Sequence, residues 1–317
     1  MNYYFTVPDN IPKIRLDVFL NQQIPKLTRS YIAKKLKSGA GLVNGKPAVV
    51  HTFLKPGDQI FFNNADTESF TKLVKINQKS INNKSQFDIK KYIIQETKDY
   101  FVINKPAGLI VHPDGTNKVE TLVDLLVEYY PPIAKIGEDP SRPGIVHRID
   151  KDVSGLMVVA KNQSAFDNLK QQFKERKTRK KYSAIVYGRF TKKEGEIKFR
   201  IARSKSKARM AALPENSIKG KSAWTHYKVI KELKNASLIE LDIFSGRTHQ
   251  IRVHLNALKH PIIGDKLYTQ KQYKIIPVNR LMLQSTELSF LDPTTSDPST
   301  FTIPLAPEFK LFIKQNS

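Results

Sequence analysis

The sequence predicts an α+β protein: a small helix-hairpin unit followed by a larger mixed, largely antiparallel β-sheet with flanking helices. Three observations support this. The chain has 317 residues, enough for one small and one large domain. Strand-like apolar runs outnumber helical patterns and many follow one another directly, which favours antiparallel or mixed pairing. Between the two parts, INQKSINNKSQ is rich in Asn, Lys, Ser and Gln and has no period, as a linker would.

The small unit is expected within residues 1–75. In Arg15-Leu16-Asp17-Val18-Phe19-Leu20, positions 16, 19 and 20 share one helical face. A second helix starts at Leu27-Thr28-Arg29-Ser30 with Thr28 as its cap and stops at Ser38-Gly39. It turns Tyr31, Ile32 and Leu36 inward and Lys34, Lys35 and Lys37 outward. Residues 42–50 read as two short strands around Asn44-Gly45, and Pro56-Gly57-Asp58 as a turn into a strand at 59–62. The linker falls at 76–90 and the large domain at 91–317. In that domain strands are expected at 92–94, 100–103, 109–111, 145–148, 156–160, 182–188, 226–233, 237–244, 281–289 and 301–303. Helices are expected at 122–130, at 165–176 with Phe166, Leu169 and Phe173 on one face, and at 248–258.

Composition narrows the function. There are 53 Lys and Arg against 29 Asp and Glu, a formal charge of +24. Such an excess is kept for a polyanionic partner or spread over a solvated lysine surface. An anionic membrane is a third option, but no long basic amphipathic helix with an aromatic face is present. No apolar run is long enough to span a bilayer. The start, MNYYFTVPDNIPKIRLDVFL, lacks the basic, apolar and small-residue regions of a signal peptide, so a cytoplasmic monomer is expected. With no cysteine, disulfides, thiolate metal sites and cysteine nucleophiles are excluded.

The chemistry concentrates in a few stretches. IVHRIDKDVSGLMVVAKN, residues 145–162, flanks the polar loop Asp150-Lys151-Asp152-Val153-Ser154-Gly155 with apolar runs. A turn there would select Asp in any case. NKPAGLIVHP runs through a Pro-Gly turn, and RKKYSAIVYG begins basic and becomes an alternating strand with Tyr182 near its start. FSGRTHQIRVH crowds Arg247, His249, Arg252 and His254 into a turn and the first turns of a helix. The two histidines are five apart with no acidic ligand nearby, so no metal site is expected.

Taken together these stretches are similar to those of RluA/RluD-type RNA pseudouridine synthases. The matching pieces are NKPAGLIVHP, RPGIVHRIDKDVSGLMVVAKN, KKYSAIVYG, SGRTHQIRVHL with HPIIGDKLY, and NRLMLQS, in the family's order over residues 93–290. The small unit, through RLDVFL, LTRS, LVNGK and KPGDQI, resembles the S4-like (alpha-L) RNA-binding domain. There Arg29, Lys34, Lys35, Lys37 and Lys46 are the candidate phosphate contacts. The resemblance implies a catalytic domain with a basic cleft that isomerises uridine in structured RNA without cofactor or metal. Large-subunit ribosomal RNA is the substrate it points to, with transfer RNA the alternative.

It also implies roles. Asp150 is the reacting carboxylate, by covalent attack or by removing a sugar proton; Arg252 pairs with it; Tyr182 stacks on the uracil; Leu283 lines the pocket. Arg148 and Arg247 flank the site, Lys105 supports the cleft, His147 is a hydrogen-bonded structural residue, and Asp152 is a solvated loop acid. The chain departs from the family's common residues at Val153, at Gln284-Ser285 and at 96–99. A non-catalytic RNA-binding or ribosome-assembly factor is the rival reading, and a metal hydrolase a more distant one; retention of Asp150, Tyr182 and Arg252 argues against a pure binder.

Overall fold

The computed structural model describes residues 2–9, 11, 14–37, 40–44, 46–63, 87–113, 119–204 and 209–317. The chain divides into two compact units, one of Met1–Asp88 with Pro113–Val119 and Gly137–Pro143, the other of Ile89–His112, Glu120–Ile136 and Gly144–Ser317. Most of the expected linker, and the expected helix stop at Ser38-Gly39, lie outside the described residues.

In the first unit, helices α1 (Leu16–Gln23) and α2 (Arg29–Lys37) accompany a four-stranded sheet. The strands are β1 (Asn2–Thr6), β2 (Gly41–Val43), β3 (Lys46–Pro47) and β4 (Gln59–Asn63), in the order β1-β4-β2-β3. Leu16, Phe19, Leu20, Ile32, Leu36, Ile60 and Phe62 form its core, as the helical spacing demanded. Thr28 caps α2, its hydroxyl accepting the Tyr31 N–H (3.3 Å). Asp17, 2% exposed, is held by Arg15 (2.9 Å) and Arg29 (2.7 Å), which ties α1 to α2. Lys35, expected to face outward, is buried: it shares the inner face of α2 with Ile32 and Leu36, its ammonium lying over the Tyr31 ring. Strand β1 was not foreseen.

The second unit is built on a nine-stranded sheet. Its strands are β5 (Ile93–Glu96), β6 (Tyr100–Lys105), β7 (Ser154–Ala160), β8 (Arg179–Tyr187), β9 (Glu194–Ile197), β12 (Thr225–Leu233), β13 (Ala236–Ile243), β14 (Leu283–Leu291) and β15 (Pro298–Thr302). The order is β5-β6-β7-β14-β8-β13-β12-β9, with β15 paired to β14. A separate hairpin pairs β10 (Arg200–Arg203) with β11 (Met210–Leu213). Every pairing is antiparallel except β7 with β14, so the mixed, largely antiparallel sheet expected from the sequence is present. Helices α3 (Leu122–Tyr129), α4 (Gln163–Lys174), α5 (Gln250–Ala257) and α6 (Pro307–Asn316) complete it. Thr121 and Asp124 cap α3 reciprocally, and the Asn162 side chain caps α4. Helix α6 and strands β9 to β11 were not foreseen.

Two expected strands are irregular. Residues 109–111 and 145–148 hold only isolated bridges, Ile110 to Thr121 and Ile145 to Val159. The Ile110 and Val111 carbonyls accept the Leu122 and Val123 N–H groups (2.8 and 3.1 Å), and side chains take two further bonds. The carbonyl of Leu109 accepts from Lys105 Nζ (2.8 Å), and the Val158 N–H donates to His147 Nε2 (3.0 Å) instead of to a backbone oxygen.

The parallel contact is short: Gln284 opposes Ser154 and Ser285 opposes Gly155. Gly155 has φ +117°, and a Cβ there would lie 2.1 Å from the Ser285 carbonyl oxygen. Gly155→Ala is therefore expected to destabilise the protein by about 3–5 kcal/mol, summing backbone strain and overpacking. Urea unfolding checks this; a loss below about 1 kcal/mol would show that β7 and β14 can separate without penalty.

Candidate active site

Asp150 sits in the loop that runs into β7. Ile149 and Val153 on either side are buried, at 5% and 2% exposure, and the Val153 N–H closes a turn on the Asp150 carbonyl (3.2 Å). The carboxylate between these apolar anchors remains 22% exposed. Val153 fills its site by burial, which a hydroxyl would not improve. The loop is pinned from below by Lys105, at the end of β6 and fully buried. Its Nζ donates to the carbonyls of Pro106 (2.8 Å), Leu109 (2.8 Å) and Lys151 (3.0 Å), and the Gly108 N–H donates to Lys151 O (2.9 Å). Burial drives the Lys105 ammonium down to about 7, with Asp152 and Asp150 opposing. Lys105 is thus a brace between two loops, with no exposed surface to offer a ligand. Asp152 is exposed.

Arg252 comes from the first turn of α5. Its Nη1 donates to Asp150 Oδ2 (3.2 Å), while Nε and Nη2 grip Asp265 Oδ2 (2.7 Å) and Oδ1 (2.9 Å). The Asp265 side chain has no exposed surface, and its Oδ1 also accepts the backbone N–H groups of Leu267 and Tyr268 (both 2.9 Å). Burial would push the guanidinium down, but the hydrogen bonds and charges of Asp265, then Asp150, outweigh it and hold the group above its ordinary value. Arg252 also lies over the Tyr268 ring at 5.1 Å. Asp265 was not foreseen: in HPIIGDKLY, an Asp after Gly reads as an ordinary turn residue.

Strands β8 and β14 bring further groups together. Tyr182 is 6% exposed and opposes Ser285 across the β8–β14 ladder. Burial pushes its phenol up and the Asp150 charge adds to this, while a hydrogen bond from the Ser285 hydroxyl opposes it; the phenol stays protonated at neutral pH. Leu283, 3% exposed, begins β14 beside it. The departures at 284–285 acquire roles. Ser285 faces Tyr182 across the ladder, and the Gln284 amide donates to Pro304 O (3.0 Å) and accepts from Ala306 N (2.9 Å), clamping the segment that enters α6. Arg280 donates to Ser154 Oγ (2.6 Å) and stacks on Phe309 of α6 at 5.7 Å. Ser154, Arg280, Gln284, Pro304 and Ala306 border a cavity of about 820 Å³, which Asp150, Tyr182 and Arg252 do not line.

The remaining expected residues make no hydrogen bond to the Asp150 carboxylate among the described residues. Arg148 is exposed, its Nη1 3.1 Å from His112 Nε2. Arg247 donates to Ser222 O (3.0 Å). In the first unit Lys34 and Lys37 are exposed, Arg29 is engaged by Asp17, Lys35 is buried, and the Lys46 side chain lies outside the described residues. His147 is kept neutral by burial, pushed down to about 3, and stacks on Phe173 at 4.4 Å. His254, pushed down to about 4 by burial, bonds Thr225 Oγ1 and Phe199 O (both 3.0 Å). His249, weighed in the sequence only as a metal ligand, has its Nε2 3.9 Å from Asp150 Oδ2. Among the described residues no group of three or more His, Asp or Glu could hold a metal ion.

A profile of the RNA pseudouridylate synthase family matches residues 99–257, the stretch that supplies Asp150, Tyr182, Arg252 and His249. A relative from Aquifex aeolicus, described as an uncharacterized RNA pseudouridine synthase, is 37% identical over 309 residues, covering 93% of this chain and 92% of its own length. The ribosomal large subunit pseudouridine synthase D of Zymomonas mobilis is 34% identical over 307 residues, covering 95% of this chain and 93% of its own. Among solved structures, human RNA pseudouridylate synthase domain containing 1 superposes with a TM-score of 0.56 at 26% identity, over 67% of this chain and 82% of that one. With the sheet, the helices and these relatives in agreement, the chain belongs to the RluA/RluD-type RNA pseudouridine synthase family.

Proposed function

We propose that the protein converts uridine to pseudouridine in large-subunit ribosomal RNA, in the cytoplasm, with Asp150 as the reacting group. The observation that carries this is the Asp150 carboxylate held at 3.2 Å by a buried guanidinium, next to a buried tyrosine. The reaction breaks the bond from ribose C1′ to uracil N1, turns the ring and joins C1′ to C5; the C5 hydrogen leaves as a proton and N1 takes one up. Electrons balance within the substrate, so the chemistry asks for no oxidant, reductant or transferred group. Attack at C1′ and removal of a ribose proton both use a carboxylate oxygen as the electron donor, and Arg252 Nη1 holds that carboxylate at 3.2 Å. The target base must leave its stack to reach the site. Tyr182 offers the flipped uracil an aromatic face and Leu283 an apolar wall.

The ribosomal substrate is supported by the names of relatives such as that of Zymomonas mobilis. The first unit reads as an S4-like RNA-binding domain, with Lys34 and Lys37 on the exposed side of α2 as its phosphate contacts.

Three outcomes are expected. Asp150→Asn abolishes tritium release from 5-labelled uridine in RNA while leaving RNA affinity within a few-fold; near-normal release would remove Asp150 from the mechanism. Arg252→Lys, a point charge in place of a planar fork, lowers kcat by about 100-fold. Wild-type turnover in that variant, with folding checked by thermal melting, would contradict the pairing. The double variant Lys34→Ala, Lys37→Ala binds RNA more weakly and lowers the slope of log affinity against log salt by about 0.7–0.9 for each phosphate no longer neutralised. An unchanged slope would make α2 a solvated face.

A further inference from the structure

His249 is placed against the grain of its backbone. It occupies the N-cap of α5 at φ 55°, ψ 23°, a left-handed conformation that few residues other than glycine adopt. Its ring makes no cap hydrogen bond to the helix. The ring turns instead between two partners: Nδ1 is 2.9 Å from the Tyr268 hydroxyl and Nε2 is 3.9 Å from Asp150 Oδ2.

The hydroxyl decides the tautomer. Tyr268 O already accepts the Met210 N–H (3.0 Å), and a phenol has one hydrogen to give. Among the described residues the acceptor in reach of that hydrogen is His249 Nδ1. With Nδ1 accepting that hydrogen, the single proton of the neutral ring sits on Nε2, facing Asp150. Burial, followed by the charge of Asp150 acting the other way and of Arg252 acting with it, lowers the imidazole's affinity for a second proton. Two donors thus converge on one oxygen, since Arg252 Nη1 also addresses Oδ2. Among the described residues Oδ1 accepts no protein hydrogen bond.

We infer that His249, locked as the Nε2–H tautomer by Tyr268, is a positioning residue that together with Arg252 holds Asp150 by Oδ2 and leaves Oδ1 as the reacting oxygen. This rests on Asp150 being the reacting group. The separation of 3.9 Å exceeds a hydrogen bond and closes when the substrate seats the carboxylate.

Two measurements test it on the full chain. Nitrogen NMR of the 15N-histidine-labelled protein should show His249 with Nδ1 bare and Nε2 protonated, and Tyr268→Phe should abolish that preference; an Nδ1-protonated ring in the wild type overturns the inference without any activity assay. In single-turnover kinetics, His249→Ala should lower the rate about 10- to 100-fold with KM within a few-fold, the scale of one hydrogen bond to a charged group. Tyr268→Phe should lower it less, and the double variant should match His249→Ala, because the hydroxyl acts only through the ring. His249→Gln, whose amide reaches the Nε2 position, should recover part of the rate and become insensitive to Tyr268→Phe. Independent, additive losses, or an effect confined to KM, would overturn it. If the wild type makes no pseudouridine, the proposed activity itself fails; if it does and Asp150→Asn does not, while His249→Ala runs at full rate, the present inference fails and the activity stands.

Discussion

A buried guanidinium between two carboxylates organises the site. Taking Arg252 and Asp265 out of water costs several kcal/mol for each ion, and only near-ideal geometry offsets it. The geometry is supplied: two parallel bonds of 2.7 and 2.9 Å to Asp265, and two backbone N–H groups on the same carboxylate. Nη1, the nitrogen not engaged by Asp265, donates to Asp150 at 3.2 Å. The ion pair that matters for chemistry is therefore set by the ion pair that matters for structure. Loss of Asp265 would leave a buried cation with one partially exposed acid to compensate it.

The sheet converts this local arrangement into a site. Gly155 lets β7 approach β14 closely enough for their parallel pairing, which places the Asp150 loop next to the strand that starts at Leu283. The ladder from β14 to β8 then sets Ser285 opposite Tyr182. Lys105 ties the loop to the turn after β6, donating to Lys151 O on one side and to Pro106 O and Leu109 O on the other. Neighbouring strands thus contribute a brace, a carboxylate, an apolar wall and an aromatic ring. The shell behind is equally specified: Gln250, 4% exposed, bonds Ser245 Oγ, Trp224 O, Thr225 Oγ1 and the Arg247 N–H, so the turn before α5 has one conformation.

What could be read in the sequence was local. Helices α1 to α5 were legible in their residue patterns, α2 also in its Thr28 cap, and the long strands in apolar runs. Asp150, Tyr182 and Arg252 stood in recognisable stretches, and the structure brings all three into one neighbourhood. The misses have physical causes. Strand β1 finds its partner at the far end of its unit, Asn2 against Asn63, and a pairing that distant leaves no local pattern. Helix α6 buries only Phe309 and Phe312 and is held in place by Arg280 and Gln284 from elsewhere. The strands expected at 109–111 and 145–148 looked like strands because they are apolar; they form only isolated bridges, and the side chains of Lys105 and His147 take part of the bonding. Asp265 and His249 matter through groups remote in sequence, which spacing does not disclose.

Isomerisation of uridine through the carboxylate that Arg252 holds is the central claim. Mapping pseudouridines in ribosomal and transfer RNA from cells lacking the protein, each complemented with the wild type or with Asp150→Asn, tests it most directly. One or more pseudouridines of large-subunit ribosomal RNA are predicted to vanish in the deletion, return with the wild type and stay absent with Asp150→Asn. Their return with Asp150→Asn, or an unchanged map in the deletion, would contradict it.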